Sequence, residues 1–154
     1  MRLELVKDWM TRDVTTITPD TGVLEAGNMM RENGIRRLPV MVDGRVIGII
    51  THGDIREAKP STSSSLSAWE MNYLLARFQI SEIMSSDPLT ISPDATIGEA
   101  AYLMYKNKIS SLPVIDADEN LAGIITESDI FRMVVYNWIK TQEGTSSPYS
   151  HYNE

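Results

Sequence analysis

The sequence has 154 residues, of which 42% are hydrophobic and 23% charged, a composition typical of one compact globular domain. It contains no cysteine and only two histidines, which excludes disulfides, thiolate metal sites and cysteine nucleophiles and argues against a transition-metal centre. The net charge of -7 argues against a protein that coats a nucleic-acid backbone, because phosphate neutralisation needs a clustered basic surface.

The first half predicts a strand, a helix, a hairpin and a second helix, in that order. Val14 to Ile17 is a β-branched run that predicts a short strand. Residues 23–32 carry apolar side chains at helical spacing and end at Asn33-Gly34, which closes a helix. Asp43-Gly44 lies between two apolar runs and favours a tight hairpin turn, after which Thr51 can cap the second helix.

The second half of the chain repeats the first. Gly48 to Thr51 reads Gly-Ile-Ile-Thr, as does Gly123 to Thr126, and Met84 through Ile130 follows Met10 through Ile55 throughout. One additional residue in the second hairpin loop leaves the register of the core intact. Each copy is too short to enclose a comfortable core alone. We therefore expect an α/β (α+β) fold in which two β-α-β-β-α repeats pack with pseudo-two-fold symmetry and form clefts between them.

The regions outside the repeats are polar, apart from one helical segment. Ser67 to Arg77 predicts a capped amphipathic helix. The division that we expect is a first repeat at 5–58, a linker with a helix at 59–78, a second repeat at 79–137 and a mobile tail at 138–154. Since no apolar run approaches the roughly 20 residues that span a bilayer and Met1 does not open a signal peptide, we expect a cytoplasmic protein without a membrane partner.

The repeated motifs resemble those of a known family. Leu-Pro-Val, a hairpin and Gly-Ile-Ile-Thr-x-x-Asp-Ile occur twice, each time with Met-Thr or Met-Ser upstream. This series resembles a tandem of cystathionine-β-synthase (CBS) domains, the pair called a Bateman module, over roughly residues 5–137. The linker at 60–77 resembles that of bacterial acetoin-utilisation B-type proteins. Some of those proteins carry an additional C-terminal amino-acid-binding domain, and we expect none here.

The resemblance implies a non-catalytic regulatory module that senses AMP, ADP, ATP or S-adenosylmethionine in the clefts between repeats. The adenine nucleotide would be a regulatory ligand, and no cofactor is required. The carboxylates of Asp54 and Asp129 can accept hydrogen bonds from ribose hydroxyls, while threonine hydroxyls and free helix N–H groups face a phosphate. Arg36 and Arg37 would add guanidinium donors for the phosphates.

Two sets of site residues follow from the resemblance, each with a wall from the other repeat. The first set is Thr51, Gly53, Asp54, Arg36 and Arg37, with a wall of Leu89, Ile109 and Ser110. The second set is Thr126, Ser128, Asp129 and Ser111, with a wall of Val14, Thr15 and Ile35.

Simpler interpretations of these motifs stay open. A Thr-x-x-Asp segment at a helix start is often only a cap, although its duplication here favours a ligand role. Arg36 and Arg37 could instead form a solvated basic turn. His52 could be an ordinary exposed helix residue, or could add charge near a phosphate when it is protonated.

The two clefts differ in charge at matching positions. Arg36, Arg37, His52 and Arg56 in the first half correspond to Ser110, Ser111, Glu127 and Phe131 in the second. Glu127 should disfavour phosphates on the Asp129 side if it points inward. We therefore expect a good anionic-nucleotide site at Asp54. The Asp129 site should be weaker, empty or suited to a less charged adenosyl compound.

Two alternatives compete with a nucleotide sensor. One is a purely structural dimerisation module whose ligand sites are vestigial. The other is a nucleotide-processing enzyme, for which the chain lacks a Ser-His-Asp order, a P-loop and a metal-ligand cluster. A homodimer formed through apolar helix faces is expected, and a regulatory module also needs a protein to act upon. These faces contain Met29, Met30, Tyr102, Met104, Ile130, Met133 and Val134.

Overall fold

The computed structural model describes residues 4–59 and 65–142. Its helices are α1 (Val6–Trp9), α2 (Val23–Asn33), α3 (His52–Ala58), α4 (Ala68–Arg77), α5 (Ile97–Asn107) and α6 (Glu127–Gln142), with a 3-10 turn at Ile80–Glu82. Its strands are β1 (Arg37–Val42), β2 (Arg45–Thr51), β3 (Ser85–Ser86), β4 (Ser111–Ile115) and β5 (Leu121–Thr126). The predicted mixture of helices and small sheets is confirmed.

Each half contains one antiparallel hairpin, as the sequence predicts. Strands β1 and β2 pair through a turn in which Asp43 and Gly44 both have positive φ, at 50° and 78°. Such angles are those of the tight turn that Asp-Gly favours. In the longer loop between β4 and β5, Oδ1 of Asp116 accepts hydrogen bonds from the backbone N–H groups of Asp118 and Asn120, both at 2.9 Å.

The prediction of a strand over residues 14–17 is wrong. Only Ile17 joins a sheet, through a parallel bridge to Val40, and its N–H donates to the carbonyl oxygen of Pro39 at 3.1 Å. The N–H of Val14 instead donates to the carbonyl oxygen of Arg12, which closes a local turn. β-branched residues favour extended backbone, but without a partner strand they form no ladder.

The two halves exchange their leading segments. Thr11 pairs with Ile124 of β5 through two backbone hydrogen bonds of 2.9 Å. In the matching place, Ser85 and Ser86 of β3 pair with Ile49 and Gly48 of β2. Each sheet is therefore completed by a segment from the other half, which explains why neither repeat closes its core alone.

The buried cores show the same exchange. Ile80, which lies at the start of the second half, is fully buried in the core built on α2, β1 and β2. Val6, from the start of the first half, is fully buried in the core built on α5, β4 and β5. Met30 and Met104 are also buried in these two cores, so their assignment to an exposed dimer face is wrong.

The helix ends follow local sequence signals. Helix α2 ends at Gly34 in the left-handed conformation, with φ of 62°, as predicted. Helix α4 begins with a capping box between Ser67 and Glu70, and its Leu75 is buried in the first core. Helix α6 includes residues 138–142 of the predicted tail, while 143–154 lie outside the described residues. None of the helices within residues 4–59 and 65–142 is long and apolar enough to cross a membrane.

Candidate functional site

The junction of β2 and α3 fixes the carboxylate of Asp54. Its backbone N–H donates to Oγ1 of Thr51 at 3.1 Å, and its Oδ2 accepts from the N–H of Thr51 at 2.8 Å. In this reciprocal capping box, Oδ2 is the carboxylate oxygen that is hydrogen-bonded. Within the described residues, no hydrogen bond or ion pair engages Oδ1, so this oxygen can accept from a ligand hydroxyl.

The matching carboxylate of Asp129 is engaged through both oxygens. Its Oδ2 accepts from the N–H and from Oγ1 of Thr126, at 2.9 and 3.1 Å. Its Oδ1 lies 3.0 Å from Nη2 of Arg132, one turn further along α6. Asp129 is only 6% exposed. A ribose at this position would have to displace Arg132 first.

A cavity of about 340 Å³ lies beside Asp54 and is built from both halves. The lining residues are Ile49, Thr51, Asp54, Ser85, Pro88, Leu89, Lys108, Ile109, Ser110, Ser111 and Glu127. We call this cavity the Asp54 cleft. The structure thus brings the expected wall residues Leu89, Ile109 and Ser110 to Asp54, and their role in binding stays a prediction. Its apolar walls suit the flat face of a base.

A second cavity of about 560 Å³ shares Thr51 and Ser110 with the Asp54 cleft. Its other lining residues are Arg36, Arg37, His52, Gly53 and Arg56. We call it the basic cavity, because no acidic residue of the described ranges lines it although the chain carries a net charge of -7. Clustered guanidinium groups of this kind complement phosphate oxygens.

Arg37 lies in the wall between the repeats. Its Nη2 donates to Oγ of Ser110, and its Nε is buried without a hydrogen-bond partner in the described part of the chain. Burial lowers the pKa of Arg37 below its ordinary value, and the negative charge of Glu127 opposes this shift. Arg37 is therefore not part of a solvated basic turn. Arg36 is exposed, as that alternative expects. Arg37 also lines the basic cavity, where a guanidinium can bind an anion.

Two of the residues expected around Asp129 line other cavities. Ser111 is buried and lines the Asp54 cleft instead. Ile35 lines a third cavity between α2, α3 and α4, and Ser128 is exposed in the first turn of α6. Val14 and Thr15 are half-buried just after the bridge that joins their segment to β5.

Sequence reasoning missed several residues of the Asp54 cleft. Ile49, Ser85, Pro88 and Lys108 line it, and the pairing of β3 with β2 explains how Ser85 and Pro88 arrive there. The Met84-Ser85 motif, which matches Met10-Thr11 in the first half, could have identified this segment as part of the cleft. Glu127, which we expected to act on the Asp129 side, lines the Asp54 cleft. Glu127 is the first residue of α6 and directly follows β5.

Comparison with protein families gives one match that covers both halves. A profile described as "CBS domain" matches residues 6–61 and 80–136. Among curated relatives, the chain is 36% identical over 125 residues to an inosine-5'-monophosphate dehydrogenase from Korarchaeum cryptofilum, covering 81% of this chain and 23% of that protein. It is 35% identical over 132 residues to a CBS domain-containing protein from Dictyostelium discoideum, covering 85% of this chain and 91% of the relative. The chain thus spans less than a quarter of the dehydrogenase.

Solved structures of CBS domain pairs have the same fold. The pair of protein MJ0100, in complex with 5'-methylthioadenosine and S-adenosyl-L-methionine, has a TM-score of 0.74 and 28% identity over 88% of this chain and 99% of its own. A Vibrio cholerae protein described as an acetoin utilization protein, AcuB, has a TM-score of 0.72 and 30% identity over 94% of this chain and 98% of its own. CBSX2 in complex with AMP has a TM-score of 0.70 and 26% identity over 88% of this chain and 98% of its own.

Proposed function

The chain belongs to the CBS domain family, and from this premise we propose that it is a non-catalytic regulatory module that senses an adenosine nucleotide in the Asp54 cleft. The observation that carries the proposal is that this cleft and the basic cavity lie side by side, with Thr51 and Ser110 in the lining of both. A base fits the apolar walls, a ribose hydroxyl donates to Oδ1 of Asp54, and phosphate oxygens accept from Arg36 and Arg37.

The ligands of similar proteins support an adenosyl group. MJ0100 is described in complex with 5'-methylthioadenosine and S-adenosyl-L-methionine, and CBSX2 in complex with AMP. For this chain Arg36, Arg37 and Arg56 favour an anionic nucleotide over S-adenosylmethionine, whose sulfonium is positively charged, and they outnumber Glu127, the acidic residue that lines the adjoining Asp54 cleft.

A sensor acts by shifting the balance between two arrangements of the protein. The Asp54 cleft takes walls from both halves, so a ligand that prefers one packing of the repeats stabilises that packing. We infer that the readout is the contact of this module with a regulated protein or with a second copy of the chain, in the cytoplasm. The relative that is an enzyme extends far beyond the matched region, which is consistent with a regulatory role for that region.

Isothermal titration of AMP against Asp54→Asn and its matched control Asp129→Asn tests the site. Asparagine keeps an oxygen for the capping box but replaces the other acceptor with an NH2 donor. We expect Asp54→Asn to abolish AMP binding and Asp129→Asn to preserve it, with thermal unfolding confirming that both variants fold. The reverse pattern would contradict the assignment.

The two competing functions have tests of their own. Prolonged incubation of the protein with ATP, followed by chromatography, should return ATP unchanged, whereas turnover would favour an enzyme. A panel of adenosine compounds should raise the melting temperature, because a ligand that binds the folded state stabilises it. The absence of any shift across the panel would favour a purely structural dimerisation module.

A further inference from the structure

A third cavity continues the basic cavity away from the Asp54 cleft. It has a volume of about 500 Å³ and lies between α2, α3 and α4. Arg36 and His52 line both cavities, so the two adjoin at these residues. The third cavity adds the side chains of Arg31 and Lys59, and no acidic residue lines it. Cationic side chains therefore extend from Arg37 past Arg36 to Lys59.

The side chains at the far end of this path are available to a ligand. Nη2 of Arg31 donates to Oδ1 of Asn28 at 3.0 Å, which orients the guanidinium on the surface of α2 and leaves its other N–H groups free for further hydrogen bonds. Lys59 is exposed at the end of α3, and within the described residues it makes no ion pair. Asn72, from α4, lines the same cavity and can donate through its amide.

The second half of the chain provides an internal control for these charges. Its matching groove is lined by Tyr102, Met104, Tyr105, Lys106, Lys108, Ile109 and Glu127. Tyr105 stands where the first half has Arg31, Glu127 where it has His52, and Val134 where it has Lys59. Because the same fold forms with aromatic, acidic and aliphatic residues at these positions, the cations of the first half are not needed for folding.

We propose that the ligand of the Asp54 cleft is a nucleoside di- or triphosphate, with Arg31 and Lys59 as residues that select for the longer phosphate chain. The proposal rests on the proposed function and specifies its ligand. The first phosphate lies beside Arg36 and Arg37, and the phosphate chain then passes His52 toward the third cavity. A monophosphate ends before it reaches Arg31 and Lys59, so these two residues contribute only to ligands with further phosphates.

Titration calorimetry with AMP, ADP and ATP in magnesium-free buffer tests this selection. We expect the wild-type protein to bind ATP about tenfold more tightly than AMP, the effect of additional charge-assisted hydrogen bonds. The double variant R31M/K59M should lose about tenfold in ATP affinity and less than about twofold in AMP affinity. The control Lys106→Met, in the matching groove of the second half, should change neither affinity. Raising the salt concentration should narrow the difference between ATP and AMP.

The outcomes separate this proposal from the function on which it rests. Equal affinity of the wild-type protein for AMP and ATP, or an equal loss of both in R31M/K59M, would overturn the selection for phosphate chain length and leave nucleotide sensing intact. Failure of the wild-type protein to bind any of the three nucleotides would overturn both. Melting curves of the variants distinguish a loss of binding from a loss of folding.

Discussion

Nη2 of Arg132 lies 3.0 Å from Oδ1 of Asp129, whereas the residue that matches Arg132 in the first half is Glu57. The same guanidinium donates to the backbone carbonyl of Trp9 at 2.7 Å and so joins α6 to α1. One substitution thus separates a carboxylate that is already satisfied from one that is free to bind. The repeat preserves the capping carboxylate, but within the described residues its second oxygen is paired at Asp129 and unpaired at Asp54.

Removing Arg132 should destabilise the fold more than removing an exposed arginine. Arg132→Ala leaves the buried carboxylate of Asp129 without its cation and removes the hydrogen bond from α6 to the carbonyl oxygen of Trp9 in α1. We therefore expect a loss of about 1–3 kcal/mol in the free energy of unfolding. The control Arg45→Ala breaks an exposed pair with Glu119 and should cost less than about 1 kcal/mol. Urea unfolding measures both, and equal losses would contradict a structural role for Arg132.

Arg37 should contribute to phosphate binding and little to nucleoside binding. Arg37→Met removes a half-buried guanidinium that lines the basic cavity, so we expect AMP affinity to fall about tenfold while adenosine affinity is unchanged. Competition titrations with the two compounds measure the difference. Arg12→Met, which removes an exposed arginine from the segment before Val14, is the control. A parallel loss of AMP and adenosine would instead place Arg37 in the scaffold.

Gly123 should be less tolerant of a side chain than Gly48, although the two match in the repeat. A Cβ at Gly123 would lie 2.5 Å from the carbonyl oxygen of Thr11, which is backbone and held in the bridge to β5. A Cβ at Gly48 would lie 2.5 Å from Sδ of Met84, a flexible side chain, and 3.0 Å from the carbonyl oxygen of Ser85. We expect G123A to lower stability by about 3 kcal/mol or more and G48A by about 1–3 kcal/mol.

Chemical denaturation of both variants measures this order. Gly98→Ala should instead raise stability, because a Cβ at Gly98 would make only an ordinary contact of 3.7 Å with Oγ1 of Thr96, and alanine favours a helix over glycine by about 0.5–1 kcal/mol. Equal costs for G123A and G48A would show that the backbone at Thr11 can move as easily as the side chain of Met84.

Local signals in the sequence predict the features that depend on local chemistry. The Asp43-Gly44 turn and the capping threonine at Thr51 were both readable, since backbone conformation and hydrogen bonding within three residues decide them. The conformation of Val14 was not, because a strand also needs a partner. The contact of Arg132 with Asp129 has a helical spacing of three residues and could have been found by a search for such pairs.

Long-range placement was predictable only where the repeat constrains it. The arrival of Leu89 and Ile109 beside Asp54 follows the family resemblance, since each wall comes from the other half. The location of Glu127 in the same cleft does not follow from the pairing of its position with His52. Two residues at corresponding positions of the repeats have equivalent backbone positions. The neighbours of each side chain depend on which segments of the other half pack against it.

The capping box of α5 should make stability depend on pH. Hydrogen bonds from the backbone N–H of Thr96 and from its hydroxyl lower the pKa of Glu99 below its ordinary value. A depressed pKa in the folded state means that Glu99 stabilises the protein above its unfolded pKa of about 4.5, and that this contribution is lost as the pH falls through the folded value. Glu99→Gln should therefore lower the urea midpoint at pH 7 more than at pH 3.

The control for this effect is again Gly98→Ala, which involves no ionisable group. Its change in the urea midpoint should be the same at pH 7 and pH 3. A difference between wild type and Glu99→Gln that does not narrow at low pH would show that the glutamate acts through packing and not through its charge.

The exposed apolar face of α5 and α6 should form a homodimer contact. Tyr102, Phe131 and Val134 are 59%, 70% and 52% exposed, and an apolar helix face of this kind is commonly covered by a second copy through a two-fold axis. We expect light scattering to report a dimer for the wild type and a monomer for F131D/V134D. Trp69→Ser, which removes an exposed aromatic residue from α4, should stay dimeric. Because the Asp54 cleft is formed within one chain, the monomeric variant should still bind AMP, and a wild-type monomer at micromolar concentration would contradict the contact.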